Sequence, residues 1–369
     1  MIITGIPFDE KLNIGVLSKV FERKRISNCY KYFWFQAILE NIAEDKVVFT
    51  YDEILNQMIE DAWYMVTEFK LRLGPCNTTD NLEEVVKYIH SKSNISSTAK
   101  RGSVIQYLKE NKDPQIKKYK KCLIENVPYC MQSPFYSSIK NPGQSKVYKI
   151  NEQAHLLYYF VALEGIFSKF EINEEWVDYL IRNRTILLEW VRYNLIGYLQ
   201  DRNPNVPGIV EKVQKPEKRD LRRVSDYWKT IIEIDPKIKE IYQKVSLKDK
   251  PISIDHFVPW QYLSHDELWN LSPTTKNINS MKGNQLPNLH EDFKRLAKLQ
   301  YKALMMCNDY EIVRDKFKIC LDYHVNSIEI RNSLYQPNID LPSYKERLYN
   351  VIQPVYDSAK MSGFTEWIK

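Results

Sequence analysis

The 369-residue sequence contains only 10 glycines, and its six cysteines include no C-x-x-C pair. Paired cysteines at that spacing are the usual braces of zinc ribbons, so a structural zinc is not expected. Cys29, Cys76, Cys122, Cys130, Cys307 and Cys320 are scattered instead. With no signal peptide, that scatter points to a reducing cytoplasm. No run of 18 uncharged apolar residues is present, so no membrane span is expected. Met1-Ile2-Ile3-Thr4-Gly5 lacks a basic region followed by an apolar run and reads as folded sequence rather than a targeting peptide. Neither charge sign dominates: 53 Lys and Arg face 47 Asp and Glu, a net of +6. That balance is compatible with nucleic-acid binding without requiring it. What the chain does have is aromatic residues, 13% of the total and including 25 tyrosines, enough to bury a large core.

The first two hundred residues read as mainly helical. Phe33, Phe35, Ile38, Leu39 and Ile42 recur at helical spacing over 31–43. Thr50 and Glu53 have the spacing of a capping box, predicting a helix that runs toward Leu73 and ends at Gly74-Pro75. A further helix is expected over 174–200, with Trp176, Leu180, Ile186, Trp190 and Leu195 inside, stopped by the stretch from Asp201 to Pro207. Polar residues 91–102 and Pro142-Gly143 read as a loop and a turn. Residues 212–250 hold 12 Lys or Arg against 7 Asp or Glu, with Lys215, Lys218, Arg219, Arg222 and Arg223 near the start. Such a run is either a solvated connector or a phosphate-contacting arm. Helices are expected again over 292–306, 310–324 and 343–352, the last closed by Pro354. The implied division is a helical region 1–210, a basic connector 211–247, a catalytic module 248–300 and a helical extension 301–369. The tryptophans Trp34, Trp63, Trp176 and Trp190 sit among apolar residues and read as core rather than as base-stacking platforms.

Chemistry is concentrated between Ile254 and Pro287. Ile252, Ile254 and His256 alternate with Ser253 and Asp255, as in a short strand, and Pro259 follows. Asn279 and Lys282 are three apart and would share one face of a helix. A neutral imidazole takes a proton from water near pH 7, and a divalent cation stabilises a leaving oxygen. Carboxylate and amide oxygens suit Mg²⁺. Asp255 and His256 point to opposite sides of a regular strand, so both serve one phosphate only through a bend or at the strand end. His265, His290, His90, His155 and His324 have no partners at ligand spacing and read as structural or exposed.

The run Asp255-His256, Asn270 fourteen residues on, Asn279 nine further, then Lys282, resembles the HNH motif. It is similar to the HNH domain of CRISPR effector nucleases and to phage Holliday-junction resolvases. The flanking text, including Trp260, the stretch from Asp266 to Leu271, the stretch from Asp61 to Tyr64 and the stretch from Arg202 to Pro207, also looks like bacterial HNH proteins with a long helical N-terminal region. The resemblance implies a mainly α chain, α+β overall, with a small ββα-metal module. It implies Asp255 and Asn279 as metal ligands, His256 as general base, Asn270 holding the loop and orienting His256, and Lys282 near the phosphate. Asn at the second ligand, where many relatives have His, favours Mg²⁺ or Mn²⁺. Phe257, Trp260 and Trp269 would fill the core in place of zinc.

The expected activity is hydrolysis of double-stranded DNA, in the setting of restriction or anti-phage defence that the resemblance suggests. One module cuts one strand, so a double-strand break calls for a homodimer, a partner protein or two events. Two other readings stand beside it: a nuclease subunit whose N-terminal region is chiefly an assembly or sensor module, and a structure-specific or RNA-directed nuclease.

Overall fold

The computed structural model describes residues 5–136, 138–213 and 220–369. The expectations placed on Met1 to Thr4 and on Lys215, Lys218 and Arg219 lie outside these residues. The protein is mainly α with two small antiparallel sheets. It divides into two compact units, Met1–Pro204 with Ile209–Lys215, and Asn205–Gly208 with Pro216–Lys369. Among the described residues no helix is long and apolar enough to cross a membrane.

In the first unit, α1 (Tyr30–Asn41) buries Tyr32, Phe33, Trp34 and Phe35 in succession, so every side of its first turns is covered. β1 (Val48–Thr50) leads into α2 (Tyr51–Thr67), where the Thr50–Glu53 capping box forms in both directions. α2 stops six residues before the Leu73 expected from the sequence. Lys70 has φ 55°, and the Leu71 amide donates to the Met65 carbonyl at 3.0 Å, a reversal that closes the helix well before Gly74. Asp80 caps α3 (Asn81–Lys92), and α4 (Ser103–Glu110) and α5 (Pro114–Ile124) follow the expected loop.

Helical periodicity missed a sheet in this unit. β2 (Tyr158–Ala162) and β3 (Lys169–Ile172) join β1 in the order β1-β3-β2, with Phe49 opposite Phe170 and Phe170 opposite Phe160. β2 and β3 are neighbours in the chain, and β1, with 107 residues between Thr50 and Tyr158, joins them only through tertiary pairing. The helix expected over 174–200 is two, α6 (Glu174–Arg182) and α7 (Arg184–Arg202), divided at Asn183. The Asn183 side-chain amide turns back onto the Tyr179 carbonyl at 3.0 Å, competing with the helical ladder. Ile186, expected inside, is 52% exposed as a result of the new helix phase. Trp34, Trp63 and Trp176 are buried, and Trp190 packs on Phe21 and Phe35.

The second unit starts its regular structure with α8 (Arg222–Ile234), inside the stretch read as connector. This helix buries Val224, Tyr227, Trp228 and Ile231. Arg222 pairs with Asp220 at 2.7 Å, and Arg223 stacks on Tyr323. β4 (Ile252–His256) and β5 (Leu271–Thr275) form a hairpin, and α9 (Lys276–Lys282) follows at once, capped by Thr275. The helices α10 (Glu291–Asp309), α11 (Glu311–His324), α12 (Ile328–Leu334) and α13 (Leu341–Met361) complete the unit. Pro354 lies within α13 rather than closing it. It is exposed, as is Asn350 one turn earlier, so water satisfies the carbonyl that loses its donor. One hydrophobic cluster joins α8, the hairpin residues and these helices, from Val224 through Phe257, Trp269 and Ile278 to Leu348 and Trp367.

Candidate active site

The hairpin is in regular antiparallel register, Ile252 opposite Thr275 and His256 opposite Leu271. Directly opposed residues share a face, so Ser253 and Asp255 of β4 stand beside Thr274 and Ser272 of β5. Hydrogen bonds show that α9 covers this polar face. Asn279 Nδ2 donates to Ser253 Oγ at 2.8 Å and to the Ile254 carbonyl at 3.3 Å. Lys282 Nζ lies 3.1 Å from an Asp255 oxygen and donates to the His256 carbonyl at 2.7 Å.

Asp255 is 4% exposed and accepts from the Tyr242 hydroxyl as well as from Lys282. Burial first, and the Asp255 charge second, push the Tyr242 hydroxyl well above its usual range, which keeps it a proton donor to the carboxylate. Tyr242 stands outside the stretch that the sequence singled out. Nothing in the local pattern marked it, since its role depends on the chain folding back over β4.

His256, the last residue of β4, faces the other way. Its Nε2 is 2.8 Å from Asp266 Oδ1, and both side chains are largely shielded, at 7% and 20% exposure. Asp266 was not among the expected site residues. It is brought back by a turn after the short helix Trp260–Leu263, where Ser264 adopts φ 59°. A non-glycine residue in that region is uncommon, and here it reverses the chain toward the strand end. His265 is exposed, and so is His290. His324 donates from Nδ1 to the Asp266 carbonyl at 2.9 Å.

Asn270 extends the hairpin beyond its last pair. Its Oδ1 accepts from the Val258 amide at 2.7 Å, its Nδ2 donates to the Val258 carbonyl at 2.8 Å, and its own carbonyl accepts from Phe257 at 2.8 Å. The side chain therefore acts as a substitute strand for the residues following His256. Gln300 on α10 supports the same loop, donating to the carbonyls of Leu268, Trp269 and Leu271 at 3.0–3.2 Å. Phe257, Trp260 and Trp269 are buried.

The expected residues therefore separate into two places. Asp255, Asn279 and Lys282 lie on the α9 face of the hairpin, and His256 lies at its end against Asp266. Lys282, expected near the phosphate, is 1% exposed, with its ammonium on Asp255 and the strand carbonyl.

On the α9 face Asp255 and Asn279 are the oxygen donors that a hard divalent cation would take, and such a cation would share the Asp255 carboxylate with Lys282 and Tyr242, which both donate to it. Asp255 and Asn279 both offer oxygen, and with Nδ2 of Asn279 turned to β4 its Oδ1 is the acceptor left for a ligand. Ser272, directly across from Asp255, has a buried hydroxyl with no hydrogen-bond partner. No group of three or more His, Cys, Asp or Glu gathers among the described residues.

A family model described as HNH endonuclease matches residues 239–288. Searches of curated proteins and of solved structures gave no match. The matched stretch contains Tyr242, both hairpin strands and α9, and the chain thus carries a module of the HNH endonuclease family.

Proposed function

We propose that the protein is a metal-dependent endonuclease that hydrolyses phosphodiester bonds in double-stranded DNA, with His256 as general base. The observation that carries this reading is the pairing of His256 Nε2 with Asp266 Oδ1 at 2.8 Å at the end of β4, one residue on from Asp255. His256 takes a proton from water, whose oxygen forms the new bond to phosphorus. The bond to the leaving oxygen breaks, and that oxygen keeps the electron pair. Asp255 and Asn279 would hold a divalent cation, Mg²⁺ or Mn²⁺ by ligand preference, which would supply counter-charge for the leaving oxygen. Lys282 and Tyr242 act one step removed, by fixing the Asp255 carboxylate. Asn270 fixes the backbone beyond His256. A role in restriction or anti-phage defence rests on the sequence resemblance alone.

The test is cleavage of supercoiled plasmid with Mg²⁺ or Mn²⁺. The parent is expected to nick, and His256→Ala to lose at least about 100-fold in rate, the low end for a general base. Cleavage that survives His256→Ala removes His256 from this role, and a parent inactive on DNA with every divalent ion removes the DNA-nuclease reading.

A further inference from the structure

We propose that Asp266 is a positioning residue for His256, and that the helical extension after the family-matched segment holds Asp266 in place. This deepens the nuclease reading and rests on it for its catalytic meaning. A carboxylate only accepts, so the 2.8 Å contact requires a proton on His256 Nε2. In the neutral ring the basic lone pair is then on Nδ1. Asp266 thus selects the tautomer and fixes the ring plane, and the nitrogen that receives the proton from water is Nδ1. The proton moves from water to Nδ1, while Nε2–H stays bonded to Asp266.

Asp266 sits outside regular structure, between the short helix Trp260–Leu263 and Leu268. The support comes from beyond residue 288. His324, at the end of α11, donates to the Asp266 carbonyl at 2.9 Å. That carbonyl cannot donate, so His324 carries its proton on Nδ1. Asn326 donates from Nδ2 to Glu267 Oε1 at 2.7 Å. Gln300 secures the rest of the same loop through its bonds to the Leu268, Trp269 and Leu271 carbonyls. The loop bearing Asp266 is therefore anchored at successive residues by α10 and by the end of α11. The extension serves the site through this anchorage, and its position after the HNH segment acquires a reason.

The experiment has two readouts. In the metal-free full-length protein, the imidazole N–H proton of His256 is observed by NMR, assigned by its loss in His256→Ala. Bonding to a buried carboxylate predicts a downfield, exchange-protected signal in the parent. It should vanish in Asp266→Ala and weaken in His324→Phe. In plasmid cleavage, Asp266→Asn should lower kcat by about 10- to 100-fold, by analogy with partners that orient metal-bound histidines, with KM within about threefold. Asp266→Glu should recover part of the loss. An N–H signal unchanged in Asp266→Ala, or absent from the parent, overturns the inference, whether or not DNA is cleaved. Equal kcat in parent and Asp266→Asn also overturns it. Failure of the parent to cleave, with the N–H signal behaving as expected, counts against the nuclease reading and leaves the pairing supported.

Discussion

Two side chains with no exposed surface to spare carry much of the site's order. Asn270 satisfies both backbone groups of Val258 while itself 0% exposed. Asn270→Ala leaves a buried amide and a buried carbonyl unpaired, at about 1–3 kcal/mol for each group. Urea unfolding should therefore show a loss of about 2–5 kcal/mol; a loss under about 1 kcal/mol would mean that water replaces the amide. Lys282 presents a related case, because its ammonium is the buried counter-charge of Asp255, at 1% and 5% side-chain exposure. Lys282→Met should cost about 3–5 kcal/mol at neutral pH by leaving that carboxylate unpaired. A Lys282 that instead serves the phosphate would show normal stability and a raised KM. At the scale of single residues, the side-chain types of the site were legible in the sequence. Asp255, His256, Asn270, Asn279 and Lys282 occupy one hairpin and its helix. Tyr242, Asp266 and Gln300 were not legible, since each is an ordinary residue whose role comes from what it meets in space.

Helix ends in the first unit show how capping and burial oppose each other. Asp80 caps α3 by accepting from the Leu82 and Glu83 amides at 3.0 Å, yet it is 5% exposed. Burial outweighs those bonds and lifts its carboxyl to about 6. A carboxyl raised on folding stabilises the protein fully below the unfolded value near 4, and that contribution is lost as pH rises through about 6. Asp80→Asn retains the cap without the charge. It should gain on the parent between about pH 4 and 6, reaching roughly 3 kcal/mol at pH 7 if the full shift is realised. Urea midpoints at stepped pH measure this, and parallel profiles for the two proteins would refute it. Periodicity and local signals revealed the capping box of α2 and the strand β4, while the β4–β5–α9 order was what the resemblance implied. The end of α2 at Lys70, the break at Asn183 and the continuation of α13 through Pro354 depend instead on a backbone reversal, a side-chain bond and solvent exposure.

For the molecule as a whole, the second unit buries the module and the extension in one shared hydrophobic core. Phe257, Val258, Trp269, Leu271, Ile278 and Leu286 of the module share one cluster with Phe293, Leu296, Tyr344, Leu348 and Ile352 of the extension. Burial of side chains of this size contributes about 1.5–3 kcal/mol each, which a small module otherwise obtains by binding zinc. Chelation should abolish cleavage while leaving the Tm within about 2 °C, whereas loss of a folding metal would lower it by much more. Differential scanning calorimetry with and without EDTA decides between them. All six cysteines are free thiols, so a reductant should leave the same transition unchanged.

The sequence by itself determined which side chains the module carries: the acid, the imidazole, the two amides and the lysine are set along the chain at spacings that a hairpin and one helix bring together. Short-range order is enough for that, because β4, β5 and α9 are neighbours in the chain. Only the tertiary structure decided what each group faces. Burial and the folding of the chain around the hairpin put Lys282 and Tyr242 on Asp255 and Asp266 on His256, and distant segments put the residues of α10 and the end of α11 on the loop between the strands. Those contacts arise from packing across tens of residues, where hydrophobic burial selects the arrangement and no local pattern records it.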